Sequence, residues 1–115
     1  MNLEIGISLV CPVYCSAQTL RILVDQICTS LNGTHKFEIL LIDDRSPDSS
    51  WLEISQIAKE NSAVRGIRLG RNVGQHGALL AGIRSARFDK IVTIDDDLQN
   101  PPSEVIKLVQ ALNSN

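Results

Sequence analysis

The sequence predicts an α/β protein in which strands and helices succeed each other around a largely parallel sheet. Three observations predict it. Hydrophobic periodicity switches between strand and helix patterns four times along the 115 residues. The run at residues 37–42 reads as apolar on both faces, as a central parallel strand requires. The apolar runs give way to polar residues where, in such a sheet, loops and helix amino termini converge.

The elements follow in order. Residues 5–11 form the first apolar run, which stops at Pro12. Leu20, Leu23, Val24, Ile27, Cys28 and Leu31 come next at helical spacing, with Ser16 as the candidate cap and Gly33 as the stop. The second strand, 37–42, runs into Asp43-Asp44-Arg45-Ser46-Pro47-Asp48, where Asp48 is suited to cap a helix bearing Trp51, Ile54, Ile57 and Ala58. Residues 64–69 read as a shorter third strand and 73–86 as a third helix. Residues 91–94 are the fourth strand, and Pro101-Pro102 open a helix presenting Val105, Ile106, Leu108, Val109 and Leu112. No linker, repeat or low-complexity stretch interrupts this order, so residues 1–115 are expected to form part of one domain.

Composition narrows the function classes. Hydrophobic residues at 43% and charged residues at 21% describe a soluble globular chain. A formal charge of -2 offers no long-range positive field for nucleic acid or an anionic membrane. Cys11, Cys15 and Cys28 form no C-x-x-C pair and have no His at metal spacing; they read as buried thiols of a reducing compartment. No signal peptide and no run of about 18 apolar residues is present, so the expected location is cytoplasmic.

The chemistry is expected at the strand ends. These carry Pro12-Val13-Tyr14, Asp43-Asp44, Arg71-Asn72 and Asp95-Asp96-Asp97. Successive carboxylates are costly, since two unit charges about 4 Å apart repel by roughly 4 kcal/mol at an effective dielectric of 20. A divalent cation with oxygen ligands would compensate them. The D-x-D spacing lets Asp95 and Asp97 point to one side of the strand while Asp96 points away. Mg2+ or Mn2+ bridging to a diphosphate is the natural occupant. The plainer reading makes Asp95 to Asp97 a solvated turn.

Four stretches, in order and each at a strand-to-loop junction, carry a resemblance: ISLVCPVYCSAQTL, EILLIDDRSPDSS, IRLGRNVGQHGALLAGI and IVTIDDDLQNPPSEV. Together they cover nearly the whole chain, and they resemble family 2 of the inverting glycosyltransferases, most closely the polyisoprenyl-phosphate branch. The resemblance implies a Rossmann-like three-layer α/β/α sandwich, the amino-terminal half of a glycosyltransferase-A fold, with strand order 3-2-1-4. It implies that a sugar moves from a UDP- or GDP-sugar to a polyprenyl phosphate or another saccharide acceptor, with inversion. Pro12 and Tyr14 would flank the nucleobase, and Asp43 and Asp44 would contact base and ribose. Asp95 and Asp97 match the metal motif, and Gln99 would lie beside the diphosphate and sugar. Asp96, counted with the nucleotide-sugar residues, stands where this branch more often has a small residue.

Arg71 and the segment from Gly74 to Gly77 admit two readings. A guanidinium and close-approaching amides suit a phosphate, whereas Gly74, Gly77 and Gly82 equally suit tight helix packing on the sheet. His76 is read as surface or packing, Trp51 and Phe37 as core or half-buried, and Ser46 and Ser49 as turn and cap residues. No catalytic residue is assigned, because the family's acceptor-side acid, basic loop and membrane helices are expected beyond Asn115. The chain alone is therefore expected to bind nucleotide weakly and to turn over little or nothing, with attachment to the cytoplasmic face of a membrane left to the part that follows.

An unpaired sheet edge would favour a homo-oligomer. The competing classes are a non-catalytic nucleotide-binding module, a receiver-like signalling domain, which would need a matching Lys, and a structural protein with an accidental acidic turn.

Overall fold

The computed structural model describes residues 6–96. Four strands and three helices alternate: β1 (Gly6–Val13), α1 (Leu20–Leu31), β2 (Lys36–Asp43), α2 (Ser50–Glu60), β3 (Val64–Arg68), α3 (Gly74–Ser85) and β4 (Lys90–Thr93). The sheet order is β3-β2-β1-β4, with every pairing parallel. The expected strand order holds. Element boundaries move by one or two residues from those read in the sequence. The helix expected after Pro101-Pro102 lies outside the described residues, as does the rest of the chain to Asn115.

Strand alternation sorts the core into two layers. Ile7, Leu9, Cys11 and Val13 of β1 face one side, with Ile39 and Leu41 of β2, and there α1 and α2 cover them through Leu23, Ile27, Ile54 and Ile57. Val10, Leu40 and Ile42 face the other side, where α3 packs through Ala78. This is a three-layer α/β/α arrangement. Gly82 permits the close approach of α3, since a Cβ there would meet Val10 Cγ1 at 2.4 Å. Gly77 does not share that role, because its added Cβ would meet Val73 of its own helix start.

Four expectations need correction. The second strand is not apolar throughout, for it buries Glu38 at 4% exposure. Ser16 does not cap α1; Thr19 holds that position, and the Ser16 hydroxyl turns to Asp96. Of the three cysteines only Cys11 is buried, while Cys28 is half-buried and Cys15 exposed. Gly33 does follow α1 in the left-handed region, φ 81°. Ser49, not Asp48, occupies the cap position of α2, and Asp48 Oδ1 accepts from the Ser50 amide at 3.0 Å from one residue before it. Trp51 and Phe37 are half-buried, as expected.

Parallel register brings the strand ends level. Val13 pairs with Asp43, and Asp43 with Arg68. The ladder continues past the strands: Asp44 N donates to Val13 O at 2.9 Å, Leu69 N to Asp43 O at 3.0 Å and Ile94 N to Val10 O at 3.0 Å. The polar segments that follow β1, β2, β3 and β4 therefore start from one rim.

Candidate nucleotide-sugar site

A cleft of about 540 Å³ opens at this rim. Pro12, Val13 and Tyr14 leave β1 along one side, and Asp95 and Asp96 leave β4 beside them. Asp44 forms the floor at the end of β2, and Asn72, Gly74 and Gln75 form the opposite wall where β3 passes into α3. Tyr14 is half exposed, at 50%.

The two acids at the carboxyl end of β2 have different surroundings. Asp44 is 4% exposed, and both of its carboxylate oxygens are engaged at the start of α3: Oδ1 accepts from Val73 N at 2.8 Å and Oδ2 from Gly74 N at 3.0 Å. α3 has no side-chain cap of its own at Val73, so a carboxylate from β2 supplies one and meets the positive end of the helix dipole. Gly74 sits at φ 86°, a conformation that a side chain would strain. The Asp44 carbonyl accepts from Asn72 Nδ2 at 3.0 Å, which fixes the wall facing β1.

Asp43 is fully buried behind this floor and does not line the cleft. Its Oδ1 accepts from the Ser46 amide at 3.1 Å. Its Oδ2 has no hydrogen bond among the described residues and lies 3.5 Å from Arg68 Nε, a charge contact without hydrogen-bond geometry. Arg68 in turn sits 5.9 Å from the centroid of the Trp51 ring.

Asp96 faces the β1–α1 loop. Its Oδ2 accepts from Tyr14 N at 3.0 Å and from the Ser16 hydroxyl, and its carbonyl accepts from Thr19 Oγ1 at 2.6 Å. The local field is negative. Desolvation, followed by the carboxylates Asp48, Asp43 and Asp96, raises the Cys15 thiol above its ordinary pKa.

The structure thus brings Pro12, Tyr14, Asp44, Asp95 and Asp96 together. Arg71 is exposed and absent from the cleft lining, where its neighbour Asn72 stands instead. His76 is exposed, as read from the sequence. Ser46 is a turn residue whose hydroxyl accepts from the Cys15 amide at 3.0 Å. Gln75 escaped the sequence reading. Its one signal is its position in the first turn of a helix that follows the carboxyl end of a strand.

Asp97 and Gln99 lie outside the described residues. Among the described residues no group of three or more His, Cys, Asp or Glu side chains could hold a metal ion. Asp44, Asp95 and Asp96 line the cleft without forming such a group.

Comparison with known proteins identifies the family and the fold. Residues 8–115 match the model of glycosyl transferase family 2. An undecaprenyl-phosphate 4-deoxy-4-formamido-L-arabinose transferase of Aeromonas hydrophila is 40% identical over 107 residues, covering 91% of this chain and 33% of the relative. One of the same name from Pseudomonas savastanoi pv. phaseolicola is 45% identical over 108 residues, covering 90% and 31%. The chain spans about a third of the length of these relatives.

Among solved structures, residues 1–349 of S. aureus TarS superpose with a TM-score of 0.77 at 17% identity, covering 96% of this chain and 33% of that one. The Pyrobaculum calidifontis mannosyltransferase PcManGT, solved with GDP-Man and Mn2+, gives a TM-score of 0.71 at 19% identity, covering 83% and 32%. These likenesses identify the fold as the amino-terminal half of a glycosyltransferase-A domain. No helix among the described residues is long and apolar enough to cross a membrane. On the match of residues 8–115 and the sequence relatives, the chain belongs to glycosyl transferase family 2.

Proposed function

We propose that the chain is the nucleotide-sugar-binding part of an inverting glycosyltransferase that moves a sugar from a nucleoside-diphosphate sugar to a polyprenyl phosphate. The observation that carries this reading is the convergence of Tyr14, Asp44 and Asp95 on one cleft of about 540 Å³, a volume within the ordinary range for small-molecule sites. The names of the sequence relatives support the acceptor class, and the donors named for solved relatives, GDP-Man in one and UDP-GlcNAc in another, support the donor class.

In this reading Pro12 and Tyr14 flank the nucleobase. Asp44 contacts base or ribose, since each carboxylate oxygen keeps a lone pair beyond the one given to an α3 amide. Asp43 supports that contact from behind through Ser46 and Arg68. Arg71, exposed beside Asn72, would pair with the diphosphate, and Gln99 would meet the diphosphate and sugar.

Asp95 and Asp97 would hold Mg2+ or Mn2+. Two carboxylates suffice for such an ion when substrate phosphates complete its shell. When bound, the cation neutralises the leaving diphosphate. A phosphate acceptor is already anionic, so the chain need not position a strong base against it.

The test is calorimetric titration of UDP, and separately GDP, with and without Mn2+, on the chain and on Asp95→Ala and Asp97→Ala. Metal-dependent binding of one nucleotide that both substitutions remove is the expected result. Equal binding with and without metal would favour a nucleotide-binding module without transfer chemistry, and absence of binding would overturn the site.

A further inference from the structure

We propose that Asp96 is a positioning residue rather than a ligand of metal or diphosphate: it fastens the β1–α1 loop and thereby sets Tyr14 in the cleft. The loop needs fastening. Cys15 stands at φ 55°, in the left-handed region that a side chain rarely adopts. The amides of Tyr14, Cys15 and Ser16 are all held by side chains from elsewhere in the fold. Tyr14 N donates to Asp96 Oδ2 at 3.0 Å, Cys15 N to Ser46 Oγ at 3.0 Å and Ser16 N to Ser50 Oγ at 2.9 Å.

Of the three fastenings, Asp96 alone carries charge and alone grips both sides of Cys15, through the Tyr14 amide and the Ser16 hydroxyl. Its carbonyl reaches further, to Thr19 Oγ1 at the start of α1. A charged acceptor makes the stronger bond. Alanine at this position would leave the Tyr14 amide without that acceptor. The side chain of Asp96 therefore links the acid-bearing end of β4 to the aromatic side of the cleft.

Two measurements test the proposal. The first needs no ligand: amide hydrogen exchange at Tyr14. Asp96→Ala is expected to speed this exchange about tenfold while amides within the sheet keep their protection, and Asp96→Asn, which retains an acceptor oxygen, is expected to restore most of it. Unchanged Tyr14 exchange in Asp96→Ala would overturn the proposal.

The second measurement rests on the nucleotide-sugar reading. UDP and GDP affinities in Mn2+ are compared for Asp96→Ala, Tyr14→Ala and the pair. If Asp96 acts through Tyr14, the double variant binds no more weakly than Tyr14→Ala; additive losses would make Asp96 a direct ligand and sink the positioning role. Binding of neither nucleotide by the unsubstituted chain would refute the functional reading, and the exchange measurement would still decide the role of Asp96. Should Asp96→Ala fail to fold, Asp96→Asn decides it: Tyr14 exchange close to that of the unsubstituted chain, with nucleotide affinity retained, supports positioning, and affinity lost with Tyr14 still protected overturns it.

Discussion

The two ends of the sheet both bury carboxylates, and they neutralise them differently. At the amino end, Glu38 of β2 accepts from Ser8 Oγ at 2.6 Å, from the Arg87 amide at 2.7 Å and from Arg65 Nη1 at 2.7 Å. Arg65 also donates to the Ser85 carbonyl at 3.1 Å, and the Phe88 amide donates to Ser8 Oγ at 3.2 Å. This network is closed and contains its own cation. At the carboxyl end, Asp44 and Asp96 are held by amides and a hydroxyl, and neither forms an ion pair among the described residues. Neutral donors satisfy their hydrogen bonding without supplying a full positive charge; the cation at this end, Arg68, stands 3.5 Å from Asp43 behind them. The amino end is closed on its own cation, and the carboxyl end keeps a negative field.

The largest effect on stability is therefore expected at the amino end. Glu38→Ala should cost about 3 kcal/mol in urea unfolding, because Arg65, the Ser8 hydroxyl and the Arg87 amide lose their shared partner. Nucleotide affinity of the folded protein should be unchanged. A large loss of affinity would mean that the two ends are coupled, and the contrast would collapse.

Asp44→Ala is expected to cost less, about 1–2 kcal/mol, as the loss of a helix cap does, and it should weaken nucleotide binding as well. Stability unaffected by Asp44→Ala would remove its role as the cap of α3.

Acid should separate the two ends further. Burial alone would raise the pKa of Glu38, yet hydrogen bonds from Ser8, the Arg87 amide and Arg65 outweigh it and hold the carboxyl below its ordinary value. A depressed folded-state pKa contributes stability that is fully present above the unfolded value, about 4.3, and is lost as pH falls through the lower folded value. The acid limb of the stability curve should therefore flatten in Glu38→Gln. A limb of unchanged slope would show that Glu38 is not the group that titrates there.

The sequence disclosed one layer of this organisation and hid the next. Alternating periodicity revealed every strand and helix now described, because that signal is local and repeats every two or 3.6 residues. Strand order needed the family resemblance, since periodicity says nothing about which strand lies beside which. The rim was legible too: Tyr14, Asp44, Asp95 and Asp96 each close a run and meet in one cleft. Their partners were not legible. Asp96 reaches Tyr14 across 82 residues and Asp44 reaches Gly74 across 30, and only the folded register creates those pairs. Glu38 was passed over for a similar reason. One charge in an apolar run looks incidental until Arg65, 27 residues away, is folded against it.

The smallest effect sharpens the contrast from outside both ends. Arg21 joins α1 to α2 through Glu53 and Glu60, and its bond to Glu60 is 2.7 Å, the same length as that between Arg65 and Glu38. Distance does not distinguish the two pairs; burial does. The Arg21 and Glu60 side chains are 46% and 61% exposed, against 28% and 6% for Arg65 and Glu38. Water screens the first pair and solvates either partner once the other is removed, so Arg21→Ala should change stability far less than Arg65→Ala does, and less still in high salt. Urea unfolding of Arg21→Ala beside Arg65→Ala measures the difference directly. Equal losses would mean that packing of the arginine stems, and not burial of the carboxylate, decides what each pair contributes.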